Sequence, residues 1–515
     1  MELPPWTSFL AVVLATLLFH ATLRRLSHRS RNHNLPPGPR PWPVIGNLNL
    51  IGPLLHHSLC DLSTRYGAFM SLRLGSYTVV VGSSVDAARF FLKTNDIAFV
   101  DRPRTASGKY TLYNYSDMMW SCYGAYWRQA RKLWQTELLS ERQLMAHEHI
   151  RVEEMRAMMH GLHRAASAGQ AVQLKDHLLL HSLSVVSRMV LGKKYVVDGG
   201  DSVMSPERFM WMMDELLVLN GALNIGDAIP WLNFLDLQGY IRRMKKLHKM
   251  FDGFLEHVLE QHNESRRREG DDFVPKDLVD LLLNWADDPN LEVPIKRDGV
   301  KALIMDLLTG GGDSASVTVE WAMSELLRKP EVLAKAVEEV DGVVGHDRLV
   351  VEGDIPSLTY LEAVVKETMR LHPVAPLLTP RLSRMDTSVG GYHIPAGTRV
   401  LINVWAIGRD PTVWDAPEEF RPERFVGSGI DVIGHDFELL PFGSGRRACP
   451  AMSLGMKMVQ VTLANLLHGF KWRLPDGMVA EELSMEEKPR ISVPRLVPLM
   501  VIPEPKLPAH LFAIV

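Results

Sequence analysis

The sequence predicts a mainly α protein with small β-sheets. Three observations carry that expectation. Val300–Leu327, VKALIMDLLTGGGDSASVTVEWAMSELL, is a long helical run, and residues 206–262 keep helical periodicity apart from one interruption. Tyr360–Leu371, YLEAVVKETMRL, reads as a further helix. Strand signals are confined to short stretches such as Ala68–Ser83, AFMSLRLGSYTVVVGS, where apolar residues alternate between turn signals.

At 515 residues the chain can bury a large core, and length alone suggests two to four domains. A net charge of −3 gives no reason to expect a nucleic-acid partner. Three cysteines, Cys60, Cys122 and Cys449, make no disulfide framework and fit a reducing compartment. No internal repeat is evident.

Trp6–Leu23 carries no formal charge if His20 is neutral, and is just long enough to span a bilayer. A cleaved signal peptide would need positive charge before the apolar run, but Glu2 is acidic and Arg24, Arg25, Arg29 and Arg31 follow it. The pattern predicts an uncleaved single-pass anchor over residues 1–23, with the basic flank on the cytosolic side. LPPGPRP, Leu35–Pro41, closes a basic, proline-rich hinge over residues 24–41 and reads as a stiff spacer.

Asp101-Arg102-Pro103 leads into a tyrosine-rich segment, Tyr110–Tyr126, whose aromatics belong to a core or a pocket wall. Trp127 and Arg131 lie four apart on a predicted helix and share a face. An indole N–H beside a guanidinium suits a carboxylate, but the spacing alone favours a surface cation–π pair. Arg128 and Lys132 add a basic patch. Pro230 breaks the helical periodicity within NIGDAIPWLNFLDLQG, and Arg266–Asp272 reads as a solvated charged loop.

Gly310, Gly311 and Gly312 sit inside the long helical run. Each costs about 1 kcal/mol against alanine, so a close helix contact or a functional deformation must require them. Asp313 and Ser314 follow, an acid and a hydroxyl able to relay protons. Gly312–Ser316 is no nucleophile elbow, because Ser316 stands at the last position and inside a helix. Glu367 and Arg370 are three apart on one helix face, and Gly390–Thr398 reads as a hairpin followed by an irregular meander, Asp410–Phe425. Pro441–Ala451, PFGSGRRACPA, places Cys449 behind two glycines and before an apolar helix. A thiol near a helix N-terminus and two arginines favours thiolate, and thiolate suits iron; a lone buried cysteine is the alternative.

This loop resembles the haem-binding motif of the cytochrome P-450 family, F-x-x-G-x-R-x-C-x-G, with Phe442, Gly445, Arg447 and Cys449 in place and Ala451 for the last glycine. Four further motifs resemble the family's in the expected order: Trp127 to Arg131, Gly310 to Ser314, Glu367 to Arg370, and Pro422-Glu423-Arg424-Phe425. The resemblance implies one large haem domain over residues 42–507, ahead of a tail at 508–515. It implies haem b on an axial Cys449 thiolate, with Trp127, Arg131 and Arg381 as propionate partners beside Phe442 and Arg447. Asp313 and Ser314 would deliver protons, Ser314 replacing the usual threonine. Glu367, Arg370 and Arg424 would form a buried triad. An NADPH-cytochrome reductase, O2 and a small apolar substrate are the implied partners, at the endoplasmic reticulum membrane. The chain looks most like plant microsomal members acting on terpenoid alcohols such as nerolidol or geranyllinalool, with flavonoid B-ring hydroxylation as the alternative. A haem protein that only binds or senses a ligand is the competing class. Met210, Met212, Met213, Leu216, Leu217 and Leu308 are candidate pocket positions, or equally core.

Overall fold

A helix of 32 residues, Arg297–Arg328, runs about 48 Å through the molecule with three quarters of its residues buried. The computed structural model describes residues 34–195 and 204–513, together with Ala15. The expected anchor at residues 1–23 therefore lies outside the described residues, Ala15 apart, and among those described no helix is long and apolar enough to cross a membrane.

Eight helices position the site. They are α1 (Ala125–Leu133), α2 (Glu148–Ser167), α3 (Leu174–Leu191), α4 (Pro206–Gly221), α5 (Tyr240–Glu269), α6 (Arg297–Arg328), α7 (Thr359–Leu371) and α8 (Met452–Gly469). Their ends follow local chemistry. Ser205 caps α4 by accepting the Arg208 N–H, with Pro206 in the first turn, and α3 stops at Gly192 in the left-handed region at φ +73°. Helix α6 packs along α3 and against α8 and α7. One continuous core of Leu, Val, Met and Trp joins them, so the length prior for several domains fails: the helices share a single interior.

A four-stranded sheet of order β1–β2–β7–β4 flanks the helices. It comprises β1 (Phe69–Leu74), β2 (Tyr77–Gly82), β4 (Arg381–Leu382) and β7 (Arg399–Ile402). Strand β2 pairs antiparallel with β1, Leu74 opposite Tyr77, and parallel with β7, Val79 opposite Arg399. Edge strand β4 carries Arg381 opposite Val400. A three-stranded sheet, β3 (Val172–Gln173), β9 (Met500–Pro505) and β8 (Phe470–Arg473), closes the far end.

Four expectations need correction. Arg266–Glu269 are the last turn of α5 and Gly270–Asp272 a 3-10 turn rather than a loop, because Arg266 reaches Asn284 and Asp287 and so continues the helix. The hairpin at Gly390 is centred on Gly390-Gly391, both at positive φ, and joins β5 (Thr387–Val389) to β6 (Tyr392–Ile394). The proline-rich stretch is not a free spacer: Ser71 of β1 donates its N–H to Pro37 O at 2.8 Å and its hydroxyl to Pro36 O at 2.6 Å. Part of the expected tail is core, since Phe512 is 2% exposed against Phe470.

Candidate active site

The Cys449 loop is held in shape from outside. Gly443 and Gly445 adopt φ of +67° and +72°, and a Cβ on Gly445 would come within 2.3 Å of Leu92 O and 2.8 Å of Asp96 Oδ1. The buried Asp96 carboxylate accepts from the Arg446 backbone and side chain and from Arg381 at 2.8 Å. The Cys449 N–H donates to Phe442 O at 2.9 Å, and the Phe442 ring lies where a Cβ on Gly455 would meet it at 3.3 Å. Helix α8 begins three residues after the cysteine, at Met452.

Around this half-buried thiol the structure gathers the other residues expected there. Arg131 Nη1 donates to Ala448 O at 2.7 Å, and Arg381 Nη2 donates to Ser444 O at 3.0 Å. Arg447 gives three N–H bonds to Val100 O, Met118 O and Ser121 O. Trp127 Nε1 also donates to Met118 O, at 3.1 Å, with the Arg447 guanidinium 4.5 Å from its ring. Trp127 and Arg131 form the cation–π pair as well, at 5.9 Å, but the tryptophan is buried rather than on the surface. Arg128 and Lys132 are exposed on α1, with Arg128 3.9 Å from Glu292.

The charge balance at the loop is unusual. Burial pulls the Arg381, Arg447 and Arg131 guanidiniums below their ordinary range, Arg447 to about 10, and Arg381 repels Arg447. Arg102, equally buried, adds to the repulsion. Asp96 and the buried Asp117 oppose them. Burial pushes the Cys449 thiol up, while the Ala451 N–H and Arg131 pull it down. A thiol ringed by desolvated guanidiniums fits a flat iron-bearing group with acidic side arms.

Helix α6 divides the glycine triplet between two tasks. A Cβ on Gly311 would approach Val186 at 2.7 Å, and one on Gly312 would approach Leu183 at 2.4 Å, so both admit α3. A Cβ on Gly310 would meet nothing within 4 Å, and Gly310 is exposed in the middle of a buried helix. Packing and an open face, alternatives in the sequence, are both present. Gly310→Ala is therefore expected to stabilise the fold by about 1 kcal/mol while narrowing the opening. Gly312→Ala must displace Leu183 and should lower the thermal midpoint; a midpoint equal to wild type would contradict this division.

Ser314, one turn on from Gly310, donates its hydroxyl to Gly310 O at 2.8 Å. Asp313 turns the other way. Its buried carboxylate takes Arg490 Nη2 at 2.6 and 2.8 Å and the Ser492 hydroxyl at 2.7 Å. Arg490 also holds Asp214 of α4 at 2.8 Å, and so does Lys488. Arg490, Ser492, Asp214 and Asp96 carried no sequence signal; Arg490 stands 177 positions from Asp313.

The triad is complete. Glu367 accepts Arg370 Nε at 2.7 Å and Nη2 at 2.8 Å, and Arg424 Nε at 3.0 Å. Arg370 places its remaining N–H groups on Gly408 O, Pro417 O and Glu419 O, so all five donors are used.

Residues 36–496 match the family model for cytochrome P-450. The chain belongs to the cytochrome P-450 family. It is 50% identical to trimethyltridecatetraene synthase of Zea mays, over 98% of this chain and 95% of that one. Dimethylnonatriene synthase of Zea mays is 48% identical over 98% and 97%, and a flavonoid 3'-monooxygenase of Petunia hybrida 43% over 98% of each. A zebrafish cytochrome P-450 solved with abiraterone superposes with a TM-score of 0.72 at 25% identity, over 88% of this chain and 99% of that one. The chain is thus a monooxygenase of the haem-thiolate type, and P-450 enzymes of this kind draw electrons from a reductase and use O2.

Of the candidate pocket positions, Met212, Met213, Leu216 and Leu217 are buried core. Met210 and Leu308 line a cavity of about 10 Å³, room for a single water rather than a substrate.

Proposed function

We propose that this P-450 oxidises a terpenoid alcohol, nerolidol or geranyllinalool, to a homoterpene, with electrons passed from NADPH through a separate reductase. The similarity to two homoterpene synthases over almost the whole length of both partners carries this reading. Flavonoid B-ring hydroxylation is the second reading, on the 43% identity to the petunia enzyme. Cys449 would hold the iron of haem b through its thiolate, Trp127, Arg131 and Arg381 would hold its propionates, and Phe442 and Arg447 would frame the loop. When bound, haem-thiolate would supply activation of O2: cleavage of the alcohol would give the homoterpene and a four-carbon ketone with both O2 atoms leaving as water, whereas flavonoid hydroxylation would put one atom into substrate and one into water. The open face at Gly310 leaves room on α6 beside the Ser314 hydroxyl. Ser314 would turn from Gly310 O and pass its Oγ proton to the oxygen being reduced. Asp313, once loosened from Arg490 and Ser492, would take a proton from solvent and return it to the Ser314 Oγ. Residues 1–23 anchor the chain in the endoplasmic reticulum with the haem domain cytosolic, on the arginines that follow the apolar run.

Microsomes carrying the chain and a reductase test the reading. Nerolidol or geranyllinalool should yield a volatile homoterpene with NADPH consumed, and Asp313→Asn should slow product formation by about 100-fold. Turnover of flavonoids alone would favour the second reading. NADPH use that never rises with any substrate would favour a binding protein.

A further inference from the structure

A second cavity lies away from the Cys449 loop, between α2, α8 and the segment Arg348–Glu352. Its volume is about 260 Å³. Its floor is apolar: Met155 of α2, and Met458 and Val461 of α8. Cations surround that floor. Arg151 is 5% exposed, bonds Glu352 and Leu144 O through Nε and Nη2, and has no partner for its buried Nη1. Arg156 is exposed at the rim with no carboxylate partner among the described residues, and Lys457 is 30% exposed and shared between Glu352 at 3.4 Å and Glu141 at 3.5 Å.

His181 lines the cavity too, at 4% exposure. Burial holds this imidazole neutral, with its pKa down at about 4, against the backbone and the charge of Glu154, which pull it up. Buried polar atoms seldom go unpartnered, because each costs on the order of 1–3 kcal/mol. Here one sits on the cavity wall, at Arg151 Nη1. Among the described residues Glu352 is the one carboxylate on the lining, against Arg151, Arg156, Lys457 and Arg348, of which Arg348 is turned to Asp354 at 2.6 and 2.8 Å.

We propose that this cavity is a second ligand site, which takes a small amphipathic anion. The carboxylate rests on Arg151, Arg156 and Lys457, and a saturated tail lies along Met155, Met458 and Val461. At a water's share of about 30 Å³, the volume suits about nine non-hydrogen atoms, close to the ten of octanoate. Occupancy would be felt by α8, whose first turn follows the Cys449 loop.

Equilibrium dialysis of labelled octanoate tests this, on the haem-loaded full chain in nanodiscs with empty nanodiscs as blank. A saturating azole blocks the haem pocket. One equivalent of octanoate should bind in its presence. Octan-1-ol, with the same tail and no charge, should bind at least about tenfold more weakly. Arg156→Gln and Lys457→Gln, both on the rim, should keep the wild-type thermal midpoint and the Soret band, and each should weaken octanoate by about tenfold. Displacement of octanoate by the azole would overturn the proposal. So would equal binding of the alcohol, absence of binding, or wild-type affinity in both variants.

Discussion

Replacement of Cys449 by serine is expected to abolish the thiolate band of the reduced, carbon monoxide-bound protein and to remove monooxygenase turnover. The argument rests on what surrounds the sulfur. The loop geometry is set by Gly443, Gly445 and Asp96, none of which the substitution touches. Serine is close to isosteric, and the Cys449 N–H bond to Phe442 O is backbone. The fold should therefore survive, and the guanidiniums of Arg131, Arg381 and Arg447 should still attract an anionic group. What disappears is the soft, electron-rich donor, since a hydroxyl does not ionise as a thiol does. A variant that retained the thiolate band would place the ligand at another residue.

Glu367→Ala and Arg370→Ala should each yield protein that accumulates without haem. Glu367→Ala leaves Arg370, 1% exposed, as a buried and uncompensated charge, and Arg370→Ala leaves Glu367, 0% exposed, with Arg424 as its one remaining cation. Removing one member of such a pair costs roughly 3–5 kcal/mol, a large part of a typical fold's stability. The damage is directional. Arg370 ties α7 to Gly408, Pro417 and Glu419, and Glu367 also accepts the Arg421 N–H at 2.7 Å, so the loss frees the meander that leads into the Cys449 loop. Absorbance at the Soret band against total protein reads the outcome, and normal haem content in both variants would refute the triad's role. Glu367→Gln, which keeps acceptors for Arg370, should fall between.

Much of this was legible because it is local. Glu367 and Arg370 share a helix face at a spacing of three, the glycine triplet marks itself by its cost, and the loop holds its cysteine within a short run of residues. Periodicity placed α6 to within three residues at its start, Arg297 against Val300. The pairing of Asp313 with Arg490 was not legible, because nothing in a sequence announces a carboxylate's partner 177 positions away. The same holds for Asp96, whose two bonds to Arg446 and one to Arg381 look, in sequence, like any surface acid. Arg266–Glu269 misled for the opposite reason. A run of charge fits a solvated loop and a helix end equally, and the ion pair to Asp287 that decides between them is tertiary.

One residue, Met118, sets a timescale through both of its flanking peptides. Met118 accepts both Trp127 and Arg447 on its carbonyl and gives its N–H to Asp306 of α6 at 2.6 Å. Beside it, burial and then the charge of Asp117 push the Asp306 carboxyl up. The segment cannot swing away without breaking bonds to α1, α6 and the Cys449 loop together. Its departure should thus be a single slow event, and the Met118 amide should exchange with deuterated solvent at the rate at which the protein releases haem to an apo-globin acceptor.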